Sequence, residues 1–133
     1  MNVVLCLDNN NGLLFNHRRQ SRDRILIDNL LSLVEQRPLY INSFSEILFA
    51  ESIAIVNEDF LELAGIGTFC FVENSHLSQY LDKVEKIIIY RWNRDYPADF
   101  YFDVDLSSWY CIEQIDFAGS SHEKITREIY RRI

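Results

Sequence analysis

Short apolar runs recur along the first two thirds of the chain: "NVVLCLD" at 2–8, "PLYIN" at 38–42, "SIAIVN" at 52–57, "GTFCFVE" at 67–73 and "KIIIYRW" at 86–92. Each is too brief for a helix and rich in β-branched or aromatic residues. Apolar side chains fill successive positions as well as alternate ones, the pattern of a strand covered on both faces. Segments of helical spacing lie between the runs. Ser21 reads as an N-cap, followed by Ile25, Leu26, Asn29, Leu30, Leu33 and Val34 up to Gln36. Arg37-Pro38 ends that helix, because the residue before proline is pushed away from the α region. "SFSEILF" reads as a short helix with Ser43 as cap and Glu46 at the capping-box position. "EDFLELAG" reads as another closed by Gly65, and "NSHLSQYLDKV" as a third with an Asn74 or Ser75 cap. Regular alternation of strand and helix predicts an α/β fold, with a mostly parallel central sheet and helices on both faces.

The last third changes character. "DFYFDVD" and "WYCIEQIDF" are strand-like, and "AGSSHE" at 118–123 is turn chemistry. In "KITREIYRRI", Ile125, Ile129 and Ile133 are spaced as a helix stripe, while Ile125, Arg127, Ile129 and Arg131 alternate as a strand. After two strand-like runs and a turn, a closing antiparallel hairpin is the expected outcome. The chain has no internal repeat, low-complexity tract or linker, so its 133 residues are expected to form one domain.

A net charge of −7 argues against general nucleic-acid binding, because the summed field repels phosphate. No run approaches the ~20 apolar residues of a membrane span, so no membrane is expected as a partner. "MNVVLCLDNNNG" lacks a basic segment ahead of a long apolar core, and a cytoplasmic location is the expectation. Cys6, Cys70 and Cys111 are far apart and flanked by strand-like residues, which suits buried free thiols rather than a disulfide frame or zinc site. His17, His76 and His122 are scattered, with none of the spacings that metal hydrolysis requires.

Against the acidic background stands "NHRRQSRDR", residues 16–24. Arg18, Arg19, Arg22 and Arg24 lie beside the start of the first expected helix, whose dipole favours an anion. Asp23 would sit at the edge of such a site as an acid or base, or would orient an arginine. The alternative is a solvated face with Asp23 as a first-turn carboxylate. Helical geometry sends Arg22, Asp23 and Arg24 in different directions, so the basic groups cannot all converge. Asp99, Asp103 and Asp105 are expected on one strand face, as a solvated edge or less simply a cation site. Trp92 and Trp109 read as core or rim aromatics.

The order of elements resembles the dihydrofolate reductase family. "NVVLCLDNNNGLLFN" is similar to the family's first strand and active-site loop, with Gly12 at the position of a loop glycine. "SRDRILIDNLL" is similar to its first helix, whose start carries the catalytic acid; Asp23 is the matching residue and Asp28 a poorer match. "RPLYINSFSEI" resembles the second strand and the helix behind it, and "VEKIIIYRWN" through "HEKITREIYRR" resembles the C-terminal strand and final hairpin. Tyr90 stands where the family has a threonine bonded to the acid. The resemblance implies a dihydrofolate-reductase-like fold and a cleft bordered by Asn11, Gly12, Arg18, Arg19, Arg22, Asp23 and Tyr90. A similar "GLLFNHRRQSRD" word occurs in small bacterial proteins labelled ribonuclease Z, a name that belongs to metal hydrolases with a His-rich motif absent here.

Departures from the pattern bear on NADPH. The family's Gly-Arg-x-Thr word is Asn42-Ser43-Phe44-Ser45 here, and its Gly-Gly phosphate loop is Glu73-Asn74-Ser75. Glycine there lets backbone N–H groups approach a pyrophosphate, which a carboxylate at Glu73 opposes. The substrate loop's Pro-Trp is missing, no arginine for a folate tail occurs near Glu51, and a strand–helix pair is shortened around 57–66. Three functions stay open: binding of a small anionic ligand (nucleotide or phosphate) near the basic loop without folate reduction, NADPH-dependent reduction of divergent specificity, and a non-enzymatic protein-interaction module.

Overall fold

The computed structural model describes residues 1–50 and 52–133; Glu51 lies outside the described residues. Strands β1 (Asn2–Leu7), β2 (Gly12–Phe15) and β3 (Arg18–Arg19) precede helix α1 (Arg24–Val34). Then come β4 (Leu39–Ile41), β5 (Ile55–Val56), helix α2 (Phe60–Leu63), β6 (Phe69–Phe71) and β7 (Lys86–Arg91). β8 (Phe100–Tyr101), β9 (Trp109–Phe117) and β10 (Ile125–Arg132) complete the strands, and 3-10 helices span Ser43–Phe49, Ser78–Lys83 and Leu106–Ser108. A seven-stranded sheet runs β5-β4-β6-β1-β7-β10-β9. Its neighbours pair in parallel from β5 through β7, and β10 runs antiparallel to both β7 and β9. The parallel sheet and the closing hairpin agree with the sequence.

Alternation along β1 divides the core. Val3, Leu5 and Leu7 face Phe60 and Leu61 of α2 and Ala64 just after it, together with Leu77 and Val84. Val4 points the other way, with Phe71, Ile88 and Tyr90, against Leu26, Leu30 and Val34 of α1. Helices therefore cover both faces. β10 settles its double periodicity as a strand: Ile125 and Ile129 are buried, and hydrogen-bonded neighbours flank it on both sides.

Several local expectations are corrected. Residues 12–19, which begin in the stretch resembling an active-site loop, form a hairpin: Phe15 pairs with Arg18 across Asn16 and His17, whose φ of 51° and 61° suit a two-residue type I′ turn. The cap of α1 is Asp23, whose side chain accepts from Ile25 and Leu26 N–H, not Ser21. "NSHLSQYLDKV" is 3-10 rather than α, and Asp103 from a distant segment accepts the Leu77 and Ser78 N–H groups in place of a local Asn74 or Ser75 cap. The Ser43 cap is absent too; its N–H donates to Glu58. Asp99, Asp103 and Asp105 share no strand face, since β8 covers only Phe100–Tyr101 and the three carboxylates bind the backbone of Asn16, Leu77 and Ser107 respectively. Cys70 is buried as expected, but Cys111 on the edge strand is exposed.

Gly12 is fixed by close approach. A Cβ there would lie 2.6 Å from Ala98 Cβ, 2.6 Å from Gln20 Nε2 and 3.1 Å from Asp8 Oδ1. The Asp8 carboxylate is fully buried and accepts from Asn10, Gly12 and Tyr96 N–H, so it has little room to yield. Gly12→Ala is expected to lower unfolding free energy by about 1–3 kcal/mol, measured by urea titration against the native chain.

Candidate functional site

β1 lies at the middle of the sheet, and the chain passes to β6 on one side of it and β7 on the other. The ends of these strands open a crevice of the kind in which α/β sheets place ligands. Cys6, Phe71, Glu73 and Trp92 form its floor, Leu13, Arg19 and Gln20 one wall, and Ser21, Arg22, Asp23 and Leu26 at the start of α1 the other. The inner part is small, about 20 Å³. It shares Arg22, Asp23, Ile27 and Leu48 as lining residues with an open groove of about 520 Å³ between α1 and the 43–49 segment.

Asp23 anchors the α1 wall, and its acceptor sites are heavily occupied. Oδ1 accepts from Ile25 and Leu26 N–H at 3.0 and 3.1 Å and from Ser120 N–H at 3.0 Å. Oδ2 accepts from Ser121 N–H at 2.8 Å and faces His122 Nδ1 at 3.0 Å, with the Ser120 and Ser121 hydroxyls each 3.2 Å from an oxygen. Burial alone pushes the carboxyl up. The N–H groups of Ser120 and Ser121, the His122 ring and the Leu26 N–H together outweigh that and hold it well below the ordinary carboxylate range. Asp23 is therefore ionised, a staple between α1 and the β9–β10 turn. Gly119 permits the fit, because any Cβ there would strike the Asp23 carboxylate and come within 2.8 Å of Ile125 Cδ1.

His122 is as confined as its partner, with side-chain exposures of 2% and 0% for the pair. Its ring stacks on Trp92 at 4.5 Å between centroids. Nε2 faces Ser21 Oγ at 3.1 Å and Tyr96 Oη at 3.0 Å. An ionised carboxylate only accepts, so Nδ1 carries its proton toward Asp23, and in the neutral ring Nε2 is the acceptor that faces Ser21 and Tyr96.

Arg19 crosses the opposite wall. Its Nε and Nη2 meet Glu73 Oε1 and Oε2 at 2.9 Å each, and Nη2 also donates to the Phe44 carbonyl at 2.8 Å. Ser45 Oγ donates to Glu73 at 2.7 Å, and the guanidinium lies 4.7 Å from the Phe44 ring centroid. Glu73 thus faces an arginine and a hydroxyl, and its charge is compensated within the cleft. Burial, and then the Glu73 charge, push the nearby Cys6 thiol well above its ordinary value.

The remaining candidates disperse. Arg22 reaches the junction of cavity and groove, exposed and without an ion pair among the described residues. Arg18 is exposed on the β3 rim. Asn11 turns its Oδ1 to Arg91 at 2.6 Å, and Gly12 is packed against Ala98 and Gln20. Tyr90 is not brought to Asp23. It is buried beneath α1 and donates to Asn29 Oδ1 at 2.6 Å, its hydroxyl held well above the ordinary phenol range by burial. Asp28 lines the outer groove. Sequence reading missed Ser21 as a polar partner, Tyr96, His122 and the Arg19–Glu73 pair. The "SSH" word at 120–122 carried the one available signal, hydroxyls and an imidazole packed into a turn.

No protein-family model and no curated protein sequence matches the chain. A search of solved structures finds dihydrofolate reductase from Enterococcus faecalis, solved as a complex with NADP(H) and RAB-propyl. It matches with a TM-score of 0.69 at 8% sequence identity, over 98% of this chain and 94% of that one. Among the described residues, no helix is long and apolar enough to cross a membrane. The match over nearly the whole of both chains, together with the central sheet and closing hairpin, establishes a dihydrofolate-reductase-like fold.

Proposed function

We propose that the protein binds a small anionic ligand in the groove between α1 and the 43–49 segment, at the basic end marked by Arg22 and Arg24. The observation that carries this reading is the pairing of two exposed arginines, unpaired among the described residues, with an apolar trough of about 520 Å³ lined by Ile27, Leu31, Ile47, Leu48 and Phe49. Cations at one end of an apolar groove suit an amphipathic anion, such as a nucleotide or an aromatic carboxylate or phosphate. Asp28 on the same helix disfavours a second negative group farther along. Arg19 contributes little free charge, since Glu73 neutralises it.

The reading is tested by thermal unfolding with a panel of nucleotides, inorganic phosphate, aromatic carboxylates and NADPH. A ligand at 100 times its dissociation constant adds about 2.7 kcal/mol. Stabilisation by an amphipathic anion is expected, and Arg22→Ala with Arg24→Ala is expected to abolish it while leaving the unliganded melting temperature nearly unchanged. Stabilisation that survives the double substitution places the ligand elsewhere. Stabilisation by NADPH alone favours a reductase of divergent specificity.

A further inference from the structure

We propose that Ser21, His122 and Asp23 form a hydrolytic relay that cleaves esters of small acids at the inner end of the groove. A nucleophile, a base and an orienting carboxylate are recognised by geometry and role, whatever their order in the chain. Here the carboxylate holds Nδ1 at 3.0 Å, and Nε2 faces the Ser21 hydroxyl at 3.1 Å. Trp92 stacks on the ring and Tyr96 holds its edge, so the imidazole is fixed in plane and tautomer before any substrate arrives. Ser21 is partly exposed and lines the inner cavity, placing the nucleophile on the reacting side of the pair. Arg22, exposed and unpaired among the described residues, lines the same cavity and is the cation available there to an oxyanion.

The chemistry balances with water as the only co-reactant. Ser21 Oγ bonds to the ester carbonyl carbon as its proton passes to His122 Nε2, and Asp23 stabilises the resulting imidazolium. That proton moves to the departing alkoxide as the C–O bond breaks, releasing an alcohol and leaving an acyl-Ser21 ester. A water molecule then attacks the acyl carbon, Nε2 takes its proton and returns it to Ser21 Oγ, and the free acid leaves. The cavity of about 20 Å³ exceeds the roughly 10–15 Å³ that one water requires. Preference for esters of anionic acids rests on the binding reading above; the relay does not.

The test uses an uncharged fluorophosphonate for labelling, with p-nitrophenyl acetate and p-nitrophenyl hemisuccinate as neutral and anionic esters. The relay predicts one modified peptide carrying the label on Ser21, and ester hydrolysis at least 100-fold above buffer. Ser21→Ala, a small change at a partly exposed position, is expected to remove both while keeping the native melting temperature within a few degrees. Label on Ser21 with no preference for the hemisuccinate upholds the relay and removes the anionic specificity. An unlabelled protein, label on Ser120, Ser121 or Tyr96 instead, or hydrolysis unaltered in Ser21→Ala overturns the relay, even if anions still stabilise the protein through Arg22 and Arg24.

Discussion

Asp23→Ala is expected to lower the unfolding free energy by about 3–5 kcal/mol, the range for removing one member of a buried, hydrogen-bonded ionic group. The size follows from what the carboxylate holds. It satisfies the first-turn N–H groups of Ile25 and Leu26, a capping role worth about 0.5–2 kcal/mol by itself. It also binds the backbone N–H of Ser120 and Ser121 and the Nδ1 side of His122, groups almost a hundred residues away in sequence. Alanine leaves those donors buried and unpaired. At about 3–5 °C per kcal/mol for a chain of this size, a melting temperature lower by roughly 9–25 °C is the expected calorimetric result. A loss below 1 kcal/mol would show that water replaces the carboxylate and that the α1–turn junction is not a staple.

The same group sets an acid limb. Its folded pKa lies below its unfolded value, so the folded chain resists protonation more than the unfolded chain does. The stability contributed is therefore complete above the unfolded value of about 3.9 and is lost as pH falls toward the folded one. Native protein is expected to destabilise steeply below about pH 4. Asp23→Asn, weaker at neutral pH, should show a flatter acid limb in urea titrations over the same range. Parallel acid limbs would assign the loss to other carboxylates.

What was legible in the sequence was whatever local pattern dictates. The β1 and β7 runs are apolar at both alternating sets of positions because helices cover both sheet faces, and no distant information is needed to see that. The β2–β3 hairpin was hidden because its turn is Asn16-His17, without the glycine that usually marks positive φ. Ser21 and Asp23 are both good capping residues two positions apart. Asp23 takes the cap in company with the Ser120 and Ser121 N–H groups, contacts that no local window contains. The site was harder to read for the same reason. His122 reads as an unremarkable turn residue until Ser21, Asp23, Trp92 and Tyr96 are folded around it. Glu73, read as hostile to phosphate, is compensated by an arginine fifty-four positions away, so its consequence was legible only as a carboxylate and not as a pair.

That pair yields a second large effect, and an asymmetric one. Arg19→Ala is expected to cost about 2–4 kcal/mol, toward the range for an orphaned buried charge but reduced because the pair sits at the cleft surface. It leaves Glu73, whose side chain is 9% exposed, with only the Ser45 hydroxyl. Glu73→Ala is expected to cost less, about 1–2 kcal/mol, because the Arg19 side chain is 21% exposed and its guanidinium keeps the Phe44 carbonyl and ring. The double substitution should cost less than the sum, since neither charge is then left alone, with a coupling energy of about 1–3 kcal/mol from a double-mutant cycle in urea. The Glu73→Ala variant also releases Arg19 as a free cation inside the cleft, so phosphate is expected to stabilise it more than it stabilises the native protein. Additive losses would mean that the two side chains are held independently, and an unchanged phosphate response would mean that Glu73 does not govern anion entry at this wall.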